Sequence, residues 1–275
     1  MNINSKIFDM KTTNLALTFC LSFATICFTL LQKPNLLRAT IAFVLLAGLA
    51  SCSKDREWVR GEGSNVSNTR IVTNFNEIAL AIDANVELYQ DSVFRVELNG
   101  QQNVLDVIET SVNGNRLCID LKRHKHLRRH NTVTVKVYMP TLKNIDISGS
   151  GNVSCRNNFN MSNLNANISG SGDIDLKGTI NENFSANVSG SGSINFSGES
   201  TCNTARYVIS GSGDINAEWL KVNTIDATIS GSGEITLYAI NQLNANISGS
   251  GDIRYRGTPT MSVRISGSGK VTGLQ

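Results

Sequence analysis

Three acidic residues recur at one position of a repeated motif. Asp214, Glu234 and Asp252 are separated by 20 and 18 residues, and each directly follows a Ser-Gly-Ser-Gly motif. If the strands that carry them stack about 4.8 Å apart, their like charges repel one another. A bound cation would relieve this repulsion, and calcium prefers oxygen ligands of this kind. We favour the alternative, in which the carboxylates face water or accept hydrogen bonds from backbone amides at the corner.

A strongly basic tract occupies residues 122–130 and holds all three His of the protein. Its fixed cations could bind lipopolysaccharide phosphates, acidic glycans or nucleic acid, with contacts that weaken as salt rises. They are Lys122, Arg123, Lys125, Arg128 and Arg129. We favour a solvated loop between two strands, since charge runs are usually just exposed. Metal binding by His124 and His126 is disfavoured, because the neighbouring cations would repel a divalent ion.

One arrangement of charged residues raises the question of catalysis. Asp252, Arg254 and Arg256 alternate, so they lie on one outward face of a strand. Together with calcium they would suit a polysaccharide lyase built on a β-helix. Against this, catalysis needs an asymmetric group of differing residues at one place, whereas these polar positions are dictated by a repeat. The sequence also contains no Ser-His-Asp arrangement and no phosphate-binding loop, so we predict that the protein is not an enzyme.

The repeat that positions these residues is the strongest feature of the chain. The motif Ile/Val-Ser-Gly-Ser-Gly occurs seven times, at intervals of 18 to 21 residues. The copies begin at Ile147, Ile168, Val188, Ile209, Ile229, Ile247 and Ile265. A period near 20 with short alternating runs and Gly-rich corners indicates a solenoid. We therefore predict an all-β parallel β-helix with about 20 residues per coil, in which Gly takes a positive φ at each corner.

Aligning the copies predicts which side chains point inward, because strand residues alternate between faces. The positions two and four residues before the first Ile are apolar, as are the second and fourth residues after the Ser-Gly-Ser-Gly corner. The column after the corner contains Val153, Ile174, Ile194, Ile215, Ile235, Ile253 and Val271. Between these columns lie Asn, Ser, Asp and Thr, which are expected to face water. Strict alternation excludes a helix, which would need a period of 3.6.

The chain before the repeats divides into three parts. Residues 70–146 alternate irregularly and are predicted to form the first imperfect coils or a small sheet that caps the solenoid, whose regular coils occupy residues 147–275. Residues 1–51 form a hydrophobic leader that ends in Leu49-Ala50-Ser51-Cys52, which resembles a lipobox. Cleavage there would leave Cys52 as a lipidated first residue, followed by a linker over residues 52–69. The alternative is an ordinary signal peptide.

Three sequence blocks add a family resemblance. They are "TRIVTNFNEIAL", "VLDVIETSVNGNRLCIDL" and "VTVKVYMPTLKNIDISGSGNV". With the Ser-Gly-Ser-Gly coils that follow, they resemble the DUF2807 family, named for a proposed role as the head GIN domain of autotransporter adhesins and frequent in lipoproteins of Bacteroidota. The similarity runs from about Arg70 to Gln275. It implies a β-helical cell-envelope domain with no assigned catalytic residues.

Composition agrees with this assignment. The 275 residues are 40% apolar and only 6% aromatic, which suits a thin aliphatic core. The net charge of +3 gives no reason to expect a nucleic acid partner. Cys118, Cys155 and Cys202 are single, and Cys155 occupies an inward position. We predict a non-enzymatic envelope protein that is held on a membrane through lipid at Cys52 and serves as a scaffold or adhesive surface for a glycan or surface protein.

Overall fold

The structure is a computed structural model that describes residues 57–275. The described chain consists of strands and one short helix, α1 (Gln102–Leu105). The strands before the solenoid are β1 (Glu57–Arg60), β2 (Asn65–Arg70), β3 (Glu77–Leu80), β4 (Asn85–Gln90), β5 (Arg95–Gln101), β6 (Ile108–Asn113), β7 (Arg116–Leu121), β8 (Lys125–Arg128) and β9 (Thr134–Met139). Over residues 57–275, no helix is long and apolar enough to cross a membrane.

The remaining strands build the regular coils. They are β10 (Asn144–Ile147), β11 (Asn152–Cys155), β12 (Phe159–Gly170), β13 (Ile174–Gly190), β14 (Ser193–Ser197), β15 (Ser200–Gly211), β16 (Asp214–Gly231), β17 (Glu234–Gly249), β18 (Asp252–Arg256), β19 (Thr260–Gly267) and β20 (Lys270–Gly273). Each pairs in parallel with the strand one coil away. The predicted fold is confirmed: the chain forms a β-solenoid of about 6 turns with a spacing of about 20 residues.

The predicted inward columns are the columns of the structure. After the corner, Ile194 is in register with Ile174 on one side and with Ile215 on the other. All three are at most 1% exposed, while their sequence neighbours are partly or fully exposed. Apolar residues separated by one polar residue therefore fill the core simply because each strand is pleated. In β19, Met261 and Val263 are 44% and 40% exposed because no further coil among residues 57–275 packs over them.

The two glycines of each Ser-Gly-Ser-Gly corner are needed for different reasons. The first, such as Gly190, has a φ of +141°, which an L side chain rarely adopts. The second, such as Gly192, does not, but a Cβ there would overlap the carbonyl oxygen of Gly172 in the coil below. Backbone hydrogen bonds then link successive corners, as from the amide of Ser191 to the carbonyl oxygen of Gly170 (3.0 Å). Positive φ, the reason expected from the sequence, explains only the first glycine.

Each coil also has a second corner, which the sequence alignment did not mark. It follows the short run after the Ser-Gly-Ser-Gly corner and is occupied by a positive-φ glycine in three coils, namely Gly178, Gly198 and Gly257. A longer run then leads to the next Ser-Gly-Ser-Gly corner, as in residues 183–190. In the coil formed by β16, the register shifts between Ala217 and Lys221, and the second corner contains Glu218 and Trp219 instead of glycine.

Large and small core residues alternate between neighbouring coils. Tyr207 stacks between Ala186 and Ala227, while Phe184 in the adjacent column stacks on Ala205. The rings of Phe184 and Tyr207 meet edge to face with centroids 5.7 Å apart, a favourable aromatic geometry. Small residues on both sides of Tyr207, and on one side of Phe184, thus make room for the rings while the core stays filled.

The N-terminal part forms both coils and a cap. Strands β3 and β4 pair in parallel with β10 and β11, and on their other side with β7 and β9. The coil formed by β3 and β4 therefore lies between the coil of β10 and β11 and the strands β7 and β9, all of which come later in the chain. Strands β5 and β6 add antiparallel edges to β9 and β7, and β2 continues the sheet beyond β5. Both alternatives for residues 70–146 are thus realised.

The linker expected over residues 52–69 is not borne out where the structure describes it. Residues 57–60 form β1, which pairs in parallel with β8, and residues 65–70 form β2. The prediction failed because these short polar strands lack the apolar alternation that marks a buried strand; they are edge strands whose side chains are mostly exposed.

The close approach at the corner predicts a large effect of a single methyl group. We expect Gly192→Ala to lower the free energy of unfolding by about 1–3 kcal/mol, since the new Cβ must push neighbouring coils apart. Ser191→Ala is the matched control, because the Ser191 side chain is exposed and the hydrogen bond from Ser191 to Gly170 is donated by the backbone amide. It should change stability by less than about 0.5 kcal/mol. Equal effects in urea unfolding would mean that the coils are not in contact there.

Removing the Tyr207 hydroxyl, in contrast to the glycine substitution, is expected to stabilise the protein. The side chain is fully buried and its Oη has no hydrogen-bond partner, and burial raises the pKa of the phenol. Tyr207→Phe should therefore raise the free energy of unfolding by about 1 kcal/mol, because an unsatisfied polar atom leaves the core. Tyr89→Phe should give no such gain, since the Tyr89 hydroxyl donates to Glu87 Oε2 (3.2 Å). Destabilisation of Tyr207→Phe in thermal unfolding would show that the hydroxyl does have a partner.

Candidate functional site

A flat polar surface extends along one side of the solenoid. It is formed by the outward residues of the run before each Ser-Gly-Ser-Gly corner, and we call it the polar face. Its outward positions in four adjoining coils are Asn163, Asn165, Asn167, Asn183, Ser185, Asn187, Thr204, Arg206, Val208, Thr224, Asp226 and Thr228, of which only Val208 is apolar. Side-chain amides connect the coils, as from Asn187 Nδ2 to Asn167 Oδ1 (2.8 Å). These ladders hold the donors and acceptors of the face in fixed positions.

Two shallow depressions lie on the polar face. One has a volume of about 470 Å³ and the other about 340 Å³, and both are lined by Arg206 and Asp226. They adjoin along the solenoid axis, so together they offer an extended groove rather than a deep pocket. Such a surface suits a long polar ligand that lies across several coils.

The acidic column is in register as predicted, but its charges are already compensated. Asp214 pairs with Glu234, and Glu234 with Asp252. Asp214 Oδ1 accepts a hydrogen bond from the backbone amide of Glu234 (3.0 Å), and Asp252 Oδ1 accepts one from that of Lys270 (2.9 Å). Glu234 Oε2 lies 3.0 Å from Arg254 Nη2. Residues 57–275 contain no cluster of three or more His, Cys, Asp or Glu placed to hold a metal ion. Calcium at this column stays a prediction.

The charged residues considered for lyase chemistry are engaged elsewhere. Arg254 pairs with Glu234, and Arg256 Nε lies 2.6 Å from Glu218 Oε1. The third, Asp252, accepts the amide of the next corner. Each therefore contacts a residue of another coil: Arg254 and Asp252 one coil away, and Arg256 two coils away.

The basic tract is folded rather than a simple loop. Its centre is β8, which pairs with β1 so that Lys125 forms an ion pair with Glu57. The indole of Trp58 packs on the ring of His126, with centroids 5.1 Å apart. The other four predicted cations are exposed and form no ion pair within residues 57–275. They are Lys122, Arg123, Arg128 and Arg129. Polyanion binding by this tract stays a prediction.

A pocket at the second corner was not predicted. It has a volume of about 250 Å³ and is lined by Glu199, Glu218, Trp219, Lys221, Tyr238 and Arg256. Trp219 is 54% exposed. The sequence contained a signal: the interval from Ile209 to Ile229 is two residues longer than the next one, and the glycine of the second corner is missing. We call this site the second-corner pocket.

Two of the three described cysteines, Cys155 and Cys202, are buried. Cys118, Cys155 and Cys202 are free thiols. Burial raises the pKa of the Cys155 thiol to about 11 and also raises that of Cys202, so both stay protonated at neutral pH. Neither supplies the thiolate that a nucleophilic mechanism would need. Cys52, the expected lipidation site, lies outside the described residues.

The fold and these surfaces define a class: a capped parallel β-solenoid with a polar lateral face. The profile of the DUF2807 family, described as "Putative auto-transporter adhesin, head GIN domain", matches residues 74–259, and the chain belongs to this family. The family expected from the three sequence blocks is thereby confirmed. A comparison with curated proteins gives no match.

Solved structures share the fold over most of the chain. One is described as a putative adhesin from Bacteroides fragilis, with 25% identity and a TM-score of 0.73, covering 78% of this chain and all of that one. Another, described as a putative lipid binding protein from Parabacteroides distasonis, has 26% identity and a TM-score of 0.66, covering 80% of this chain and all of that one. A putative adhesin from Parabacteroides merdae is 22% identical with a TM-score of 0.69, covering 79% and 99%.

Proposed function

We propose that the protein is a non-enzymatic ligand-binding protein of the cell envelope, whose polar face adheres to a glycan or to a surface protein. The observation that carries this proposal is the polar face, with two adjoining depressions that share Arg206 and Asp226. A rigid array of amides, hydroxyls and a few charges binds through many weak polar contacts repeated along its length.

A binding role fits the chemistry better than catalysis. The polar positions of the face are set by the repeat, so polar side chains are spread along successive coils rather than converging on one reacting atom. The family is described as a putative auto-transporter adhesin, and one solved structure at 25% identity as a putative adhesin, which supports a binding role. One relative is described as lipid binding. In this chain side chains fill the interior columns, so we place any ligand on the outer surface.

The proposed location at a membrane rests on the leader sequence before Cys52. Cys52 stands at the end of a lipobox-like sequence and is followed at once by polar residues. Two acyl chains on one residue give stable membrane anchoring, so we propose that the protein is tethered to a membrane of the cell envelope through Cys52. The basic tract and the polar face would then be held at the membrane by the lipid on Cys52.

Adhesion predicts saturable binding without product. The full chain should be tested against glycans, extracellular matrix proteins, lipopolysaccharide and lipid vesicles, with and without calcium, while product release is followed. We expect binding to at least one of the first two classes, with no new reducing ends or unsaturated sugars. If the basic tract contributes, lipopolysaccharide binding should weaken as salt rises. If calcium binds at the acidic column, it should raise the melting temperature.

A pair of charge-matched variants localises the binding. Arg206→Ala with Asp226→Ala removes both charges shared by the two depressions and should weaken binding about tenfold or more. Lys177→Ala with Asp175→Ala removes the same charges from the run after the corner and should have little effect. Equal losses would exclude the polar face, and sugar cleavage would establish the lyase alternative.

Anchoring has its own test. We expect a radiolabelled fatty acid to be incorporated into the wild-type protein in its native host, and the mature protein to begin at residue 52. Cys52→Ser should abolish the label and release the protein from membranes. Label retained in Cys52→Ser, or a mature N-terminus elsewhere, would contradict the lipobox assignment and leave an ordinary signal peptide.

A further inference from the structure

The second-corner pocket lies where the repeat is interrupted. Glycine turns the chain at this corner in neighbouring coils, as Gly198 does one coil before and Gly257 two coils after. In the intervening coil the register shift places Trp219 there instead, and its indole projects into solvent. Scattered single exposed apolar residues are ordinary. Here the ring instead forms one wall of a concave site to which four successive coils contribute.

Contacts within the protein hold the walls of the pocket. Glu218 is only 20% exposed and pairs with Arg256, whose Nη1 also donates to the backbone oxygen of Gln275 (2.8 Å). The Lys221 ammonium lies 5.8 Å from the centroid of the Tyr238 ring. A Cβ on Gly257 would touch the Tyr238 ring, so the absence of a side chain there leaves room for it. The Tyr238 ring and the Glu218–Arg256 pair are therefore positioned before any ligand arrives, while the Trp219 ring is 54% exposed beside them.

The charges of the pocket point to a neutral ligand. Glu218 and Arg256 neutralise each other at 2.6 Å. The remaining charged groups of the pocket are those of Glu199 and Lys221. Glu199 is exposed and forms no ion pair within residues 57–275. An anionic ligand would face the Glu199 carboxylate and a cationic one the Lys221 ammonium. A ligand that both donates and accepts hydrogen bonds without net charge satisfies both groups.

The aromatic surface narrows the chemistry further. Most of the exposed surface of the pocket is apolar, although four of its six lining residues carry charged groups, and such a combination is typical of small-molecule sites. A pyranose ring has one face of C–H bonds, which packs on an aromatic ring, and an edge of hydroxyls that donate and accept. The volume of about 250 Å³ equals that of about eight water molecules at roughly 30 Å³ each, a space suited to one sugar ring.

We propose that the second-corner pocket is a subsite for one neutral sugar residue, with its C–H face on Trp219 and its hydroxyls bonded to Glu199 and Lys221. This assignment deepens the proposed function, on which it rests, by naming a ligand class and a site separate from the polar face. Tyr238 forms the second aromatic wall. The Glu218–Arg256 pair positions the corner rather than contacting the sugar.

The direct test is saturation-transfer NMR on the full chain with methyl glycosides of glucose, galactose, mannose and N-acetylglucosamine. We expect at least one to bind with a dissociation constant on the order of 1 mM and to show the strongest transfer at ring C–H protons. Methyl glucuronide should bind more weakly than methyl glucoside because of Glu199, and Glu199→Gln should narrow that difference. Tighter binding of the glucuronide by the wild type would overturn the neutral class.

Matched tryptophan variants locate the site. Trp219→Ala should weaken binding at least about tenfold, whereas Trp219→Phe, which keeps a ring, should retain part of it. Trp58→Ala is the control, since Trp58 is the other tryptophan of the chain and is exposed to a similar extent, 57% against 54%. Unchanged melting temperatures would show that the variants are folded. Full binding by folded Trp219→Ala, or no binding by the wild type, would overturn the subsite.

Failure of the subsite can be told apart from failure of adhesion. If the wild type adheres to the glycan or matrix panel and Trp219→Ala adheres equally well without a measurable methyl glycoside site, only the subsite is wrong. If the wild type binds neither the panel nor any methyl glycoside, both proposals fail. Loss of methyl glycoside binding in Trp219→Ala, with the polar-face variant Arg206→Ala/Asp226→Ala unaffected, would establish the pocket as an independent site.

Discussion

The structure depends on how closely successive coils approach one another at the Ser-Gly-Ser-Gly corner. There, backbone lies directly on backbone: the amide of Ser212 donates to the carbonyl oxygen of Gly190, and a Cβ on Gly213 would overlap Gly192. This contact sets a single register for every strand that leaves the corner. Because strand side chains alternate, the same register fixes which residues fill the core and which face water. One repeated backbone contact thus accounts for both the aliphatic columns and the polar face.

A perfect repeat limits what a solenoid can recognise. Identical coils offer identical side chains, which suits weak, extended contacts but provides no place where different groups converge. The protein departs from its repeat at two places. The N-terminal cap brings Trp58 onto the basic tract through the pairing of β1 with β8, and the second corner of β16 carries Trp219 in place of glycine. Both exposed tryptophans therefore occur where the repeat is interrupted, and there the chain can supply specificity that its regular face lacks.

The sequence predicted the parts of the structure that the repeat governs. The buried column that contains Ile174 and Ile215 was predicted from the alternation of apolar and polar residues alone, because side chains of a strand point to opposite faces in turn. The strand β1 was missed, since its pairing with β8 depends on a partner almost 70 residues away and its burial pattern shows no alternation. The second-corner pocket was missed for a related reason. Trp219 is adjacent to Tyr238 and Arg256 only after the coils are stacked, although the two-residue longer interval marked where the repeat would change.

The central claim is that a regular solenoid provides the scaffold and that its interruption at Trp219 provides a specific contact. The most direct measurement is a crystal structure of the full chain grown with the methyl glycoside that binds most tightly. We expect one sugar ring stacked on the Trp219 indole, with a sugar hydroxyl within hydrogen-bond distance of Glu199 and with the register between coils unchanged. A sugar bound only elsewhere, or a β16 corner in which Trp219 is buried and glycine-like turns continue, would contradict it.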